Sequence, residues 1–214
     1  NGNGNYFYID NIQESNKVLV DELGSTLYTI AKDVKLQVEF NPNKVQAYRL
    51  IGYVNRKLNK EDYNDDKKDA GELGAGHTVT ALYEIIPVGV GSEFIKTVDA
   101  LKYQKPQQDA KSDFGNELLT VKFRYKNPNE TKSKLIVHPL KDSYERNNSE
   151  NFNFSAAIAG FGMLLTNSEF KQNLDYGTVI DLAYAGKGTD YNGYRAEFIK
   201  LVKTAESLGS LTQR

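Results

Sequence analysis

A glycine-dense segment that runs straight into alternating apolar residues limits the fold of this chain more than any other stretch. Gly71, Gly74 and Gly76 lie close together, and glycine permits a positive φ or a close approach of the backbone. Apolar residues then occupy every second position: Val79, Ala81, Tyr83 and Ile85. The pattern predicts a structural joint followed by a strand over residues 77–88. Because these glycines precede a strand, they do not fit a dinucleotide-binding fingerprint, in which they follow one.

Two further runs have the period of a half-buried strand. Their apolar positions are Val34, Leu36, Val38 and Phe40 in the first run, and Leu119, Val121, Phe123 and Tyr125 in the second. Mostly polar and charged residues alternate with them, which predicts an antiparallel β unit with one wet face. Asn41-Pro42-Asn43 predicts a hairpin to a second arm over 45–53, whose apolar face Arg49 interrupts. Asn127-Pro128-Asn129 predicts a turn to a strand over 134–140.

Helical periodicity is confined to the two ends of the chain. A short strand over 6–9 is expected to precede a helix that Asp10 or Asn11 caps. That helix would carry Ile12, Leu19, Leu23, Leu27 and Ile30 on one side. Three more helices are predicted over 154–165, 174–185 and 192–208, with Gly209 as the stop of the last one. Since 154–165 is apolar nearly all round, we expect Phe161 and Leu164 to be buried.

The predicted fold class is therefore α+β. A mostly antiparallel sheet or sandwich would be combined with an N-terminal helix and a C-terminal layer of about three helices.

Composition excludes several classes of function. The 214 residues are 39% hydrophobic, which is enough for one large domain or two small ones. A formal net charge of −1 provides no field that would recruit nucleic acid, so we predict no nucleic-acid partner. The chain has no cysteine, which excludes disulfides, thiolate metal sites and cysteine nucleophiles. No apolar run approaches the ~18 residues of a membrane span. Because the chain starts at Asn1 instead of Met, we expect it to be part of a longer protein.

The acidic stretch over 61–72 partly matches a calcium-binding loop. Asp62, Asn64 and Asp66 stand at the first, third and fifth positions of such a loop. Lys67 then replaces the glycine of the sixth position, and the twelfth is Leu73, with Glu72 one residue early. A solvated charged loop is the favoured interpretation, and calcium binding stays the alternative.

Other candidate chemistry is weak. His77 and His138 have no second ligand at metal spacing, so we interpret both as structural imidazoles. The Gly186–Thr189 segment resembles the end of a phosphate loop but follows a predicted helix instead of a strand. Lys122–Lys126 interleaves basic and aromatic residues, yet strand alternation sends the two kinds to opposite faces. We therefore assign no catalytic, cofactor-binding or metal-binding residue and predict no enzyme activity and no cofactor.

Three stretches resemble a known family. They are residues 4–10, residues 68–84, and residues 156–165 with 193–199. They resemble the C-terminal half of YfbK-like bacterial proteins, in which a von Willebrand factor type A (VWA) domain precedes a domain of unknown function. The resemblance implies a cell-envelope protein, often a lipoprotein. It also implies that residues 1–32 are the last strand and helix of a truncated VWA-like domain. The residue patterns themselves predict an antiparallel β-rich domain over 33–145 and a helical layer over 146–214 packed on it.

The chain departs from that family in one respect. A VWA domain binds its metal through an Asp-x-Ser-x-Ser motif, and no aspartate here has a serine two positions later. No metal ligand can therefore be transferred to any residue of this chain.

The expected function is a non-catalytic interaction or scaffolding module of the bacterial envelope. Its expected partners are an envelope protein and the upstream VWA domain of the same chain. One alternative is a divergent enzyme that uses the carboxylates Asp69, Glu72 and Glu84. The other is a glycan-binding module that uses exposed residues among the 14 tyrosines.

Overall fold

The computed structural model describes residues 7–52, 58–59, 61–95, 114–143 and 147–212, and their fold is α+β, as predicted. The strands are β1 (Thr29–Phe40), β2 (Val45–Ile51), β3 (Gly71–Gly74), β4 (Leu82–Pro87), β5 (Glu117–Lys126) and β6 (Lys134–Lys141). The helices are α1 (Ile12–Asn16), α2 (Leu23–Leu27), α3 (Glu150–Leu165), α4 (Tyr176–Ala185) and α5 (Tyr194–Thr212).

The main sheet has the strand order β3-β1-β5-β6, and its neighbouring strands are antiparallel. Leu36 pairs with Phe123 and Val38 with Val121, so the two predicted apolar runs share one face. On the next strand Ile136 pairs with Phe123, which extends that face to β6. The shared face read from the sequence is thereby confirmed for β1 and β5, and the predicted strand over 134–140 is confirmed as β6.

The predicted hairpin between the first strand and its second arm is wrong. The turn itself forms, because the Asn41 carbonyl accepts from the amides of Lys44 and Val45 at 3.0 and 2.9 Å. However, β1 has β3 and β5 as its neighbours, and β2 instead forms a separate two-stranded sheet with β4. The Asn41 side chain donates to the carbonyl of Glu117 at 2.7 Å, which ties the end of β1 to β5. Tyr53, the predicted end of the second arm, lies outside the described residues.

The glycine joint also differs from the prediction. Gly71 and Gly74 are the ends of β3, which pairs with β1, and Gly76 makes the following turn with φ +77°. Regular strand structure resumes only at Leu82, and Val79 is 61% exposed outside it. The predicted strand over 77–88 is thus confined to its second half.

The N-terminal segment contains no strand at 7–10. Asn11 caps α1 as expected, since its side chain accepts from the amide of Glu14 at 2.8 Å. The predicted single helix is interrupted by a π-helical turn over Lys17–Asp21 between α1 and α2. It also ends earlier than predicted, because α2 stops at Leu27 and Ile30 already belongs to β1.

The three C-terminal helices are confirmed, and they enclose an apolar core of Ala157, Phe161, Val179, Ala183, Ile199 and Val202. Phe161 is buried and Leu164 packs against this core, while Ile158 and Leu165 on α3 are exposed. The expectation that α3 is buried on most sides is therefore only partly met. Gly209 does not stop the last helix, because α5 continues to Thr212.

Contacts among the described residues divide the chain into two compact units. The sheet unit comprises the described parts of 1–48, 54–79 and 85–142, and the helical unit those of 49–53, 80–84 and 143–214. The N-terminal helices thus group with the main sheet, and short pieces of β2 and β4 group with the C-terminal helices. The assignment of residues 1–32 to a VWA-like domain stays a prediction.

Candidate functional site

Lys35 on β1 is buried, with 2% of its surface exposed, although its position in the alternation predicts the wet face. Its ammonium group donates to the carbonyl oxygens of Asp62 at 2.9 Å and Asp65 at 2.5 Å. A buried ammonium group is costly unless hydrogen-bonded, and these two carbonyls meet that requirement. The acidic loop, residues 61–69, therefore covers β1 with its backbone while most of its side chains stay in solvent.

Lys126 at the end of β5 holds the same loop at a second point. Its Nζ donates to Asp33 Oδ2 and to the carbonyl oxygen of Asp66, both at 2.6 Å. Asp33 occupies a bulge of β1 with φ 51°, and its other oxygen accepts from the amide of Ala70 at 3.3 Å. Burial acts to raise the pKa of Asp33, but the hydrogen bonds from Lys126 and Ala70 outweigh it and hold that pKa below its usual value.

We call this arrangement the lysine latch: Lys35, Lys126, Asp33 and the carbonyl groups of Asp62, Asp65 and Asp66. It corrects the prediction of a wet face on β1 and β5, because two of the lysines on that face lie under the acidic loop. The chain does carry a signal for it, namely a row of cations on β5 and a run of carboxylates at 61–69. Each of these two segments, taken alone, is predicted to be solvated, because the local sequence does not show that the cations of β5 and the loop over 61–69 are in contact.

Arg124 continues the row of cations on β5. Its Nη1 donates to Ser133 Oγ at 2.9 Å and its Nη2 to Asn64 Oδ1 at 3.1 Å. The guanidinium carbon lies 5.4 Å from the ring centre of buried Tyr63. Burial raises the pKa of the Tyr63 hydroxyl, although nearby Arg124 and Lys122 act against that shift.

The three candidate calcium ligands have separate protein partners. Asp62 pairs with Lys68 at 3.4 Å, Asn64 accepts from Arg124, and Asp66 accepts from the amide of Ser133 at 3.4 Å. Three backbone oxygens of the loop face lysine ammonium groups. Among the residues that the structure describes, no group of three or more histidine or acidic residues could hold a metal ion.

Two of the three candidate catalytic acids lie in one depression of the sheet unit. Asp69 and Glu72 are exposed and line a cavity of about 460 Å³. The other residues of its lining are Lys32, Asp33, Asp66, Lys67, Lys126, Glu130 and Thr131. Three lysines among these residues supply counter-charge to the carboxylates.

Glu84, the third candidate acid, belongs to the helical unit and pairs with Arg49 there. Its Oε2 accepts from Arg49 Nε at 2.6 Å. The Arg49 guanidinium also lies 4.2 Å from the ring centre of Phe170, and its Nη2 is 3.6 Å from Met163 Sδ. Arg49, which interrupts the apolar run of β2, therefore contacts Glu84, Met163 and Phe170 within the helical unit.

A second cavity, of about 350 Å³, lies at the start of α5 in the helical unit. Arg195 at its wall donates to Asn151 Oδ1 at 2.5 Å and lies over the Phe154 ring at 4.8 Å. Asp190 accepts from the amides of Arg195 and Ala196 at 3.1 and 2.8 Å, and these hydrogen bonds overcome the effect of desolvation and lower its pKa. Tyr191, also in the lining, is 94% exposed.

Of the remaining sequence candidates, the Gly186–Thr189 segment contributes Lys187, Gly188 and Thr189 to the lining of the second cavity. His77 and His138 are both exposed, so neither imidazole fills a core position. The Gly186–Thr189 segment follows α4, as the sequence predicts. Phe123 and Tyr125 share one face of β5, where their ring centres are 5.7 Å apart. None of the helices that the structure describes is long and apolar enough to cross a membrane.

Comparisons with known proteins agree with the resemblance seen in the sequence. Residues 25–208 match the family described as "Uncharacterized protein YfbK, C-terminal". The chain is 42% identical over 212 residues to "Uncharacterized protein YfbK" of Escherichia coli (strain K12). The match covers 99% of this chain but 36% of that relative. No solved structure matches the chain. The chain thus belongs to the family formed by the C-terminal region of YfbK.

Proposed function

We propose that the chain is a non-catalytic interaction module of the bacterial cell envelope. In this proposal it belongs to a longer protein, often a lipoprotein, in which a VWA domain precedes it and carries any metal-dependent binding. The observation that carries the proposal is an apolar surface on the N-terminal segment.

That surface consists of exposed apolar residues spread from α1 to the start of β1, which the sequence pattern places on one side of a single helix. Their exposed fractions are 79% for Ile12, 57% for Leu19, 42% for Leu23, 65% for Leu27 and 56% for Ile30. Removing apolar surface from water is favourable by about 25 cal/mol per Å², and several exposed aliphatic side chains concentrated in one short segment favour an interface there. Residues 12–24 also precede the part that matches the family, which begins at residue 25. Both points support a neighbouring domain as the cover of this surface.

The arrangement of the acids favours binding over catalysis. Asp69 and Glu72 are exposed in a depression that also contains three lysines, and Glu84 is paired with Arg49. A general acid or base is expected in a site that tunes its pKa through burial or like charge. The divergent carboxylate enzyme is therefore the less supported alternative.

Hydrogen exchange on the longer protein tests the proposal. The amides of residues 12–28 are expected to exchange more slowly there than in the isolated chain, because the upstream domain covers them. Leu19→Asp is expected to remove that protection while leaving the isolated chain unaffected, since Leu19 is exposed. Asn16→Asp, exposed on the same segment, is the matched control. Equal exchange in the two contexts would contradict the proposal.

Glycan binding is the second candidate, and the exposed tyrosines favour it. Tyr191 presents its ring beside the cavity that also offers Glu150, Asn151 and Lys187. Sugars bind where an aromatic face lies beside polar groups of this kind. A glycan array with the wild-type chain and Tyr191→Ala tests this candidate, with exposed Tyr8→Ala as the control. Binding that the two variants lose equally, or no binding at all, counts against it.

A further inference from the structure

Strand β6 forms one edge of the main sheet. Its neighbour is β5 on one side, and no strand of the described residues lies on the other. All eight residues of β6 are exposed. An edge strand presents a row of backbone donors and acceptors that can pair with another strand.

The side chains of β6 are apolar on both faces of this edge. Leu135 and Val137 are 45% and 51% exposed on one face, and Ile136 and Leu140 are 53% and 46% exposed on the other. The second face continues across the sheet through Phe123 to Leu36, which is itself 49% exposed. A long, exposed, aliphatic edge is a liability unless another chain covers it.

A second copy of β6 is not well suited to pair with this edge strand. Lys134 and Lys141 stand at the two ends of the strand, so antiparallel self-pairing in register would bring like charges together. Pro139 also lacks an amide donor, and proline is tolerated in an edge strand where its nitrogen faces away from the neighbour. Any strand added along the whole of β6 lacks this one hydrogen bond, and a second copy of β6 would add the missing donor of its own proline.

Lys134 and Lys141 instead favour a strand that carries acidic residues at its ends. Lys141 has no ion-pair partner among the described residues, and Lys134 pairs only with Glu130 at 3.1 Å, where the side chains are 49% and 44% exposed. Such exposed pairs are weak and exchange readily. Carboxylates at the ends of an incoming strand would pair with both lysines.

We propose that the edge of β6 binds an extended segment of a partner protein by strand addition, and that this segment is apolar in its middle and acidic at its ends. The ladder forms mainly along Lys134–His138, and the carboxylates pair with Lys134 and Lys141. This inference rests on the proposed function, because it names the surface through which the interaction module would recruit its partner.

Peptide titration tests the inference on the whole chain. The probe is a peptide as long as β6, made of alternating valine and threonine with a glutamate at each end, and the comparison peptide has lysine at each end. The glutamate peptide is expected to bind saturably, with NMR shift changes concentrated on 134–141. The lysine peptide is expected to bind at least about tenfold more weakly.

Charge reversal at one end supplies the decisive variant. Lys141→Glu changes an exposed side chain, so folding should be retained, and it is expected to weaken binding of the glutamate peptide about fivefold. Lys132→Glu, exposed but outside the strand, is the matched control.

Equal binding of the two peptides, no effect of Lys141→Glu, or shift changes away from β6 would overturn the inference. No peptide binding, or dimerisation through β6, would overturn it as well. These outcomes leave the exchange experiment on residues 12–28 untouched, so a failure here is distinguishable from a failure of the proposed function.

Discussion

The helical unit and the sheet unit are held together in different ways. In the helical unit Ala157, Val179, Ala183 and Val202 are completely buried and belong to one apolar cluster. In the sheet unit the most buried residue of β1 is Lys35, and Lys126 is buried nearby. The first unit therefore follows the usual rule of an apolar interior, whereas the second places charges beneath a polar loop.

The difference shows what a polar interior can provide. An apolar core tolerates repacking as long as its volume is kept. A lysine latch is directional, because each ammonium group must meet particular oxygen atoms. It therefore fixes the path of the acidic loop, even though buried charges contribute little net stability.

The largest expected effect comes from breaking the latch. Lys126→Met removes the ammonium group that Asp33 and the carbonyl group of Asp66 share, in a site where the Lys126 side chain is 8% exposed, and leaves Asp33 only the amide of Ala70. We expect a loss of about 3–5 kcal/mol in the free energy of unfolding of the sheet unit. Denaturant titration followed by circular dichroism measures it. Lys67→Met, on the exposed side of the loop, is the control, and an equal effect of the two substitutions would argue against the latch.

A smaller loss is expected from Gly186→Ala in the helical unit. A Cβ atom at residue 186 would overlap the backbone of Phe154 and the carbonyl oxygen of Glu150, so α3 and the end of α4 would have to move apart. We expect a cost of about 1–3 kcal/mol, measured by thermal unfolding. Gly162→Ala in α3 has nothing within 4 Å of the new atom and should stabilise the helix by about 1 kcal/mol or less. Similar effects of the two substitutions would refute the close contact.

Acid should weaken the latch through Asp33. Its pKa is lowered in the folded state, so its contribution to stability is complete above its unfolded value of 3.8 and is lost as pH falls further. The difference in unfolding free energy between the wild type and Asp33→Asn should therefore shrink below that pH. The other carboxylates titrate in both proteins, so the difference isolates Asp33. A constant difference down to the lowest pH would contradict this assignment.

The smallest expected effect is that of calcium. Because loop oxygens already face lysine ammonium groups, millimolar calcium should give no binding heat in calorimetry and no change in thermal stability. A magnesium titration is the control for ionic effects. A saturable, calcium-specific heat would mean that the loop exchanges its lysine contacts for a metal ion.

Local patterns predicted the elements better than their partners. Alternation placed Leu36, Val38, Val121 and Phe123 on one face, and helical spacing located α3, α4 and α5. The turn at Asn41 predicted a hairpin between β1 and β2, but β2 pairs with β4 instead. The local sequence does not predict this pairing, because it depends on tertiary contacts.

The candidate site was harder to predict for the same reason. The burial of Lys35 depends on backbone carbonyl groups of residues 62 and 65, and every residue type carries such a group. A charged loop and a row of cations are each read as solvated when they are examined singly. Only their juxtaposition in the fold makes them a structural unit.

Native-state hydrogen exchange on Lys126→Met tests the central claim most directly. If the lysine latch holds the sheet unit, the amides of residues 61–74 should lose protection in this variant. Those of residues 176–183 in α4 should exchange at the wild-type rate. Unchanged protection of the loop, or an equal loss in both segments, would contradict the account.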